Sequence, residues 1–577
     1  MKKTFQYTIA AVLVLTGFQQ TLAQKKDDNI GTEVVNVVKP YTPTISDAFK
    51  VKETPTLDDE ETQKKENIKY NIFSFPVAST FAPSKGKAAN VDKSPEEKIF
   101  SNYLTLAAGN YGTANVELFV TENVSNTDYF GGMLRHSSSQ GGIKDVVLDD
   151  KFMNTALDLT YGSRTKTMNW NADLGYKNQI YNWYGFYPGT LTDATIETID
   201  EQQTYHTLYV GGRLGLSSVL KESSIKFSRF WDAFGSAENR FVAKPSLEFD
   251  IVEQKIKADF ILDYISGSFE NDINGNAGYK YGFANVGFQP SIRIQKDDLT
   301  VNAGVGFFYS SAQEQGESKF FIYPQITGSY KVVGDLMIFY AGVEGGLKQN
   351  SYHDFVQENF FVSPTLIVAP TDQKYDVFAG LKGKLANSVS YNIRGSYTNE
   401  DNRALFKSNG YEELIGTEGY QYGNSFNVVY DQLKTISFFG ELKADFTKNV
   451  TFGINGTFSS YSTDVESEAW NLPSLKVSTN LDVNITQKWF AGMSLFFVGE
   501  RKDFAHFAFL SLPSVDDEIV TLDSYFDLNA HVGYKHSERL TFFLKGNNLA
   551  NQDYQRWLNY PVQGLQVLGG ASYKFDF

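Results

Sequence analysis

The 577-residue chain contains no cysteine. Disulfide frameworks, thiolate-bound zinc, iron–sulfur clusters and a lipid-modified N-terminal cysteine are thereby excluded. Long apolar runs are missing as well. Mean hydropathy is −0.31, and the one apolar run of note, Ala10 to Phe18, is too short to span a bilayer as a permanent helix. A helical membrane bundle is therefore ruled out. Basic charge is in deficit, with 52 Lys and Arg against 67 Asp and Glu and a net charge of −15. Nucleic acid is excluded as a partner, because its binding rests on neutralising phosphates. What the chain has in quantity is aromatic residues, which make up 15% of it.

The start of the chain reads as a secretory signal over residues 1–23. Lys2 and Lys3 form the basic end, and Thr21-Leu22-Ala23 places small residues where a signal peptidase reads them. Residues 24–98 are expected to be a largely extended periplasmic or lumenal segment without a folded plug. They hold an acidic run (Asp58-Asp59-Glu60-Glu61) and a proline-spaced piece (Lys39-Pro40-Tyr41-Thr42-Pro43), with no sustained helical or strand period. Ser94-Pro95-Glu96-Glu97 carries the signature of a helix start and predicts one short helix.

From Phe100 onward apolar and polar residues alternate. Val567, Gly569, Ala571, Tyr573 and Phe575 oppose Gln566, Leu568, Gly570, Ser572 and Lys574. Met168, Trp170, Ala172, Leu174 and Tyr176 oppose Asn169, Asn171, Asp173, Gly175 and Lys177. Side chains along a strand point to opposite faces, so each segment has one apolar and one polar face. A soluble sandwich alternates too, but two further features separate the cases. Aromatics such as Trp489, Tyr534 and Phe577 sit near strand ends, as in the girdles of lipid-facing barrels. Short turns, as at 164–166, 296–298, 386–388 and 536–538, also alternate with long polar loops, as at 138–151, 185–203, 349–372, 400–423 and 550–563. A wall threaded through one membrane needs that rhythm. The expected fold is all-β, a closed antiparallel transmembrane barrel over 99–577 with about 22 strands, and 424–447 is one long strand projecting above the bilayer.

The C-terminus carries a recognisable pattern. Phe542-Phe543-Leu544-Lys545-Gly546-Asn547-Asn548-Leu549, then Tyr554, then a strand ending in Phe577, resembles the close of TonB-dependent receptors. The resemblance implies an outer-membrane location in a Gram-negative cell and transport of a solute. It also implies that Ala571, Tyr573, Phe575 and Phe577 form the assembly signal read by the barrel-insertion machinery. The departure from the family is the plug, for which residues 24–98 are too few and of the wrong composition. Val34, Val35, Val37 and Val38 resemble the short box that pairs with TonB, and they also suit an extended segment rich in β-branched residues. A wide barrel without a plug would be a hole. Inward-folded loops, the segment Ile68 to Phe81, or a partner protein would have to close it.

Catalytic and metal readings are weak. His531 shares a strand face with Asp527, about 13 Å away, too far to be oriented by it. His136-Ser137-Ser138-Ser139 reads as a loop entrance. Asp272, Asn274 and Asn276 begin like a calcium loop, but Ala277 and Phe283 break the pattern. Gly342-Val343-Glu344-Gly345-Gly346 lies inside a strand rather than in a phosphate cradle. No enzyme and no cofactor are expected. The partners expected are the lipid bilayer, the insertion machinery and periplasmic or outer-membrane proteins, with TonB left open. Transport leads, and a scaffold barrel in a multi-protein outer-membrane complex is the alternative.

Overall fold

Leu174, Val210, Phe227, Phe241 and Tyr264 show what the alternation builds. They are paired one to the next across five adjacent strands, on the same outward face. In water such a row of large apolar side chains would be unstable; in hydrocarbon it is the natural surface. The computed structural model describes residues 98–577, apart from 188–190, 218, 252–253, 273–277, 315, 413–417 and 509–515. The signal segment, the rest of residues 24–97 with Val34, Val35, Val37 and Val38, the segment Ile68 to Phe81, the helix expected at Ser94 and most of the calcium-like stretch lie outside the described residues.

One sheet contains 23 strand segments. Ala237–Lys244 and Ser246–Ile251 both pair with Gln254–Ser268 and are a single strand interrupted at Pro245, so the wall has 23 − 1 = 22 strands. Proline has no N–H to donate to the ladder, which explains the break. The first strand, Asn102–Gly109, pairs antiparallel with the last, Gln566–Phe575, and closes the cylinder. Closure leaves no sheet edge, so the ladder satisfies the backbone groups that lipid could not.

The strand Phe426–Thr447 measures the lipid band directly. Its outward residues Ile436, Phe438 and Phe446 are exposed. Ten residues separate the first from the last, about 33 Å along the strand. At the usual tilt of roughly 40° this gives about 25 Å of height, the expected apolar thickness. The ten or so residues before Ile436 rise above the band and pair with Val389–Ser408. That pairing corrects the loop expected at 400–423, since the strand runs on to Ser408. Asn402 sits in the left-handed region (φ 52°) where the register shifts between Glu400 and Arg403. The polar run there is a bulged strand with water on its outer side. His136 is likewise inside the strand Asp128–Ser139, with its ring nitrogens bonded to Thr155 and Ser138, and is not a loop entrance. Gly342 to Gly346 lie within Met337–Lys348, as expected.

All the long connections leave from one end of the cylinder, together with the short links 109–114 and 232–237, and the other short turns lie with the first and last strand ends at the opposite end. The long connections fold inward. The large side chains that are almost fully buried include Trp183, Tyr205, Phe230, Tyr352, Leu366 and Tyr560. They form an aromatic core that fills the mouth of the barrel rather than its membrane level.

Candidate functional site: a capped lumen

The loop 349–370 carries a helix, Tyr352–Glu358, that period-2 reading does not reveal. The signal for it is nonetheless present. Ser351 caps the helix by accepting from the Asp354 N–H at 3.0 Å, and Tyr352, Phe355 and Val356 fall at the spacing of one helical face and are buried.

Polar grips from the wall strands hold this helix. The Glu238 carboxylate accepts from the backbone N–H groups of Tyr352 (2.7 Å) and His353 (3.4 Å), and from the Tyr281 hydroxyl at 2.6 Å. An anion at these otherwise unpaired helical donors is the favourable arrangement. Arg240 donates through two nitrogens to Asp263 of the wall, at 2.9 and 2.7 Å, and through a third to Asp354 of the helix at 2.9 Å. Lys177 donates to Gln357 at 2.6 Å, and the Tyr352 hydroxyl donates to Asp232 at 2.8 Å. Burial pulls the Asp354 carboxyl upward, but the His353 hydrogen bond and the Arg240 charge outweigh it and hold the group down at about 2. A depressed acid stabilises fully above its ordinary value of about 3.9 and loses that only as pH falls through about 2. The Arg240 latch is therefore fully charged at neutral pH.

Beyond the helix, the Phe360 carbonyl accepts from Trp183 Nε1 (3.1 Å) and from the Tyr205 hydroxyl (2.8 Å). Phe361 stacks on Tyr560 of the loop 548–565 with centroids 3.6 Å apart. The hairpin Arg501–Ala508 with Asp516–Leu522 braces the same loop, since Arg501 donates to the Gln555 carbonyl at 2.8 Å. Its Asp503 accepts from the Ser408 N–H and from Asn471, and burial pushes that carboxyl up to about 6.

Beneath the cap lies a cavity of about 730 Å³. Arg135 and Asp158 of neighbouring wall strands pair at 2.7 Å on its lining, and Lys226 lies over the Tyr209 ring at 4.6 Å. Glu117, Lys177 and Lys545 add to the charged lining, and Glu238, Arg240 and Asp354 of the cap fastening reach it too. Among the described residues no three His, Asp or Glu side chains gather as a metal site. His531 sits against the Phe490 ring.

Of the residues singled out from sequence, Ala571, Tyr573 and Phe575 share the outward row of the last strand, and Phe577 lies just past its end with 81% of its surface exposed. The girdle aromatics Trp489 and Tyr534 are register partners with rings 4.8 Å apart. Glu238, Arg240 and Asp354, which fasten the cap, were not marked by any motif. Only the strand alternation that turns Glu238 and Arg240 inward could have pointed to two of them.

No protein-family model and no curated protein matches the chain. Solved structures do. The ferripyoverdine receptor of the outer membrane of Pseudomonas aeruginosa is 12% identical, with a TM-score of 0.59 over 84% of this chain and 72% of that one. The ferric-catecholate import receptor Fiu from E. coli K12 is 10% identical, with a TM-score of 0.61 over 84% and 82%. The FrpB iron transporter from Neisseria meningitidis, F3-3 variant, is 10% identical, with a TM-score of 0.64 over 83% and 82%. At such identities the likeness is one of fold. The barrel is built like those of outer-membrane receptors, in agreement with the resemblance carried by Phe542 to Leu549 and by the last strand.

Proposed function

We propose that the protein is an outer-membrane transport barrel, closed on its outer side by its own loops and opened when the helix Tyr352–Glu358 leaves the wall. The observation that carries this reading is the pairing of a large charged cavity with a lid held on by ion pairs and hydrogen bonds. Such contacts exchange with water at small net cost, whereas a wall strand could not be withdrawn without opening the sheet. The three solved barrels are named as receptors, an importer and a transporter, which supports the same direction.

Residues 1–23 serve in this reading as an export signal. Residues 24–98 act on the periplasmic side and help to close the lumen from below. Val34, Val35, Val37 and Val38 offer a short extended edge to TonB or to another periplasmic protein. The second reading, a scaffold barrel in a multi-protein complex, draws support from the depth of the aromatic core in the cap, which is more than a transient lid requires.

Planar-bilayer conductance distinguishes the readings. Removing 350–368 is expected to open a steady current, and removing 30–90 as well is expected to enlarge it. A current from the first deletion that the second leaves unchanged would place residues 30–90 outside the lumen. Loop deletions that never conduct, in a protein that purifies with stoichiometric subunits, would decide for the scaffold.

A further inference from the structure

A second cavity, of about 360 Å³, lies in the outer half of the cap between the loops 140–151, 358–361 and 548–565. Glu358 and Arg556 at its rim are exposed. Among the described residues, only Tyr181 and Phe360 line both this outer chamber and the inner cavity. Their rings stack with centroids 3.8 Å apart and planes 13° from parallel. The stacked rings thus stand between the two chambers.

The way Phe360 is held matters. Both bonds that fix it, from Trp183 and Tyr205, go to its backbone carbonyl. Its ring can therefore turn aside without undoing either bond. The Tyr181 hydroxyl accepts from Asn154 Nδ2 at 2.7 Å, which steadies the opposite ring. Buried side-chain oxygens without a donor stand on both sides of the partition. Asn182 Oδ1 and Asp527 Oδ1 belong to residues of the outer chamber, and Asn154 Oδ1 to a residue of the inner one. Buried acceptors of this kind call for a donor, which water or a visiting solute can supply. The outer volume equals about a dozen water molecules at ~30 Å³ each.

We propose that the Tyr181–Phe360 stack is a door between two chambers, through which a small polar solute bearing hydrogen-bond donors passes along the barrel wall rather than through the centre of the cap. The proposal rests on the transport reading and adds to it a route for small solutes that needs only the Phe360 ring to turn, with the helix Tyr352–Glu358 still on the wall.

The absence of cysteine gives a clean test. Full-length Thr207→Cys, whose side chain lines the inner cavity, is placed in proteoliposomes with the long loops outward and a thiol scavenger sealed inside. A small cationic methanethiosulfonate is added outside. Labelling is expected to be slow with the door intact, at least tenfold faster in Phe360→Ala, and slow again in Phe360→Trp. Arg556→Cys should label rapidly in every background. Phe360→Leu, which keeps apolar bulk but cannot stack, covers the case in which the alanine variant fails to fold. Equal labelling with and without the Phe360 ring would overturn the door. So would slow labelling in both Phe360→Ala and Phe360→Leu while protease protection of the loops is normal. Door-dependent labelling in a protein that moves no solute would leave the door standing and remove the transport reading.

Discussion

Arg240→Ala is expected to release the cap. The substitution strips Asp263 of both its guanidinium bonds at a site where its side chain keeps only 12% of its exposure. Leaving one partner of such a buried pair uncompensated costs roughly 3–5 kcal/mol. Asp354, half exposed, contributes little to that cost, but its loss unfastens the helix. The loop 349–370 should become sensitive to added protease, and the barrel should conduct ions. Arg240→Lys should restore only part of the protection, because an ammonium cannot reproduce the forked contact with Asp263. Lys177→Met removes one hydrogen bond between charged and neutral groups and should cost about 1.5–3 kcal/mol, with the cap still shut. Unchanged proteolysis and conductance in Arg240→Ala would show that the aromatic core alone holds the cap.

Deleting Phe577, or replacing it with alanine, should sharply lower the amount of protein in the outer membrane and barely change the thermal stability of what is assembled. The ring is 81% exposed and meets the Phe575 ring edge-on at 5.5 Å. Little apolar burial is lost with it. A large fall in yield must then come from recognition during insertion, which is the role that the family resemblance gives to Ala571, Tyr573, Phe575 and Phe577. Immunoblots of membrane fractions, set beside melting curves of the purified variant, separate the two effects. Normal membrane levels would remove these residues from that role.

The barrel was legible because lipid and lumen impose opposite demands on neighbouring residues. The alternation Ala571-Ser572-Tyr573-Lys574-Phe575 and the long–short rhythm of connections follow from those demands alone. The extension of Val389 to Ser408 past residue 400 was not legible. Above the bilayer the outer face of a strand meets water while the inner face packs polar residues such as Asn399 and Glu400 against the cap, so Asn399-Glu400-Asp401-Asn402 reads as a loop although the strand pairs with Phe426–Thr447 on either side of its bulge. The cap was hidden for a different reason. Its grips join residues far apart in the chain, such as Arg240 with Asp354 and Trp183 with Phe360, and no local period encodes them. The helix at 352–358 left only the trace of Ser351 and three apolar residues. Among the means of closure considered from sequence, the inward-folded loops are the one the structure shows.

Spin labels placed singly at residues 436 to 442 of the strand Phe426–Thr447 test the closed lipid-facing cylinder most directly, since no native thiol interferes. In liposomes, collisions with molecular oxygen, which concentrates in lipid, should peak at 436, 438, 440 and 442. Collisions with a water-soluble nickel chelate should stay low at those positions. Chelate contact at 436 and 438 equal to that at 437 and 439, or no alternation at all, would mean that this face does not meet hydrocarbon and that no such barrel exists.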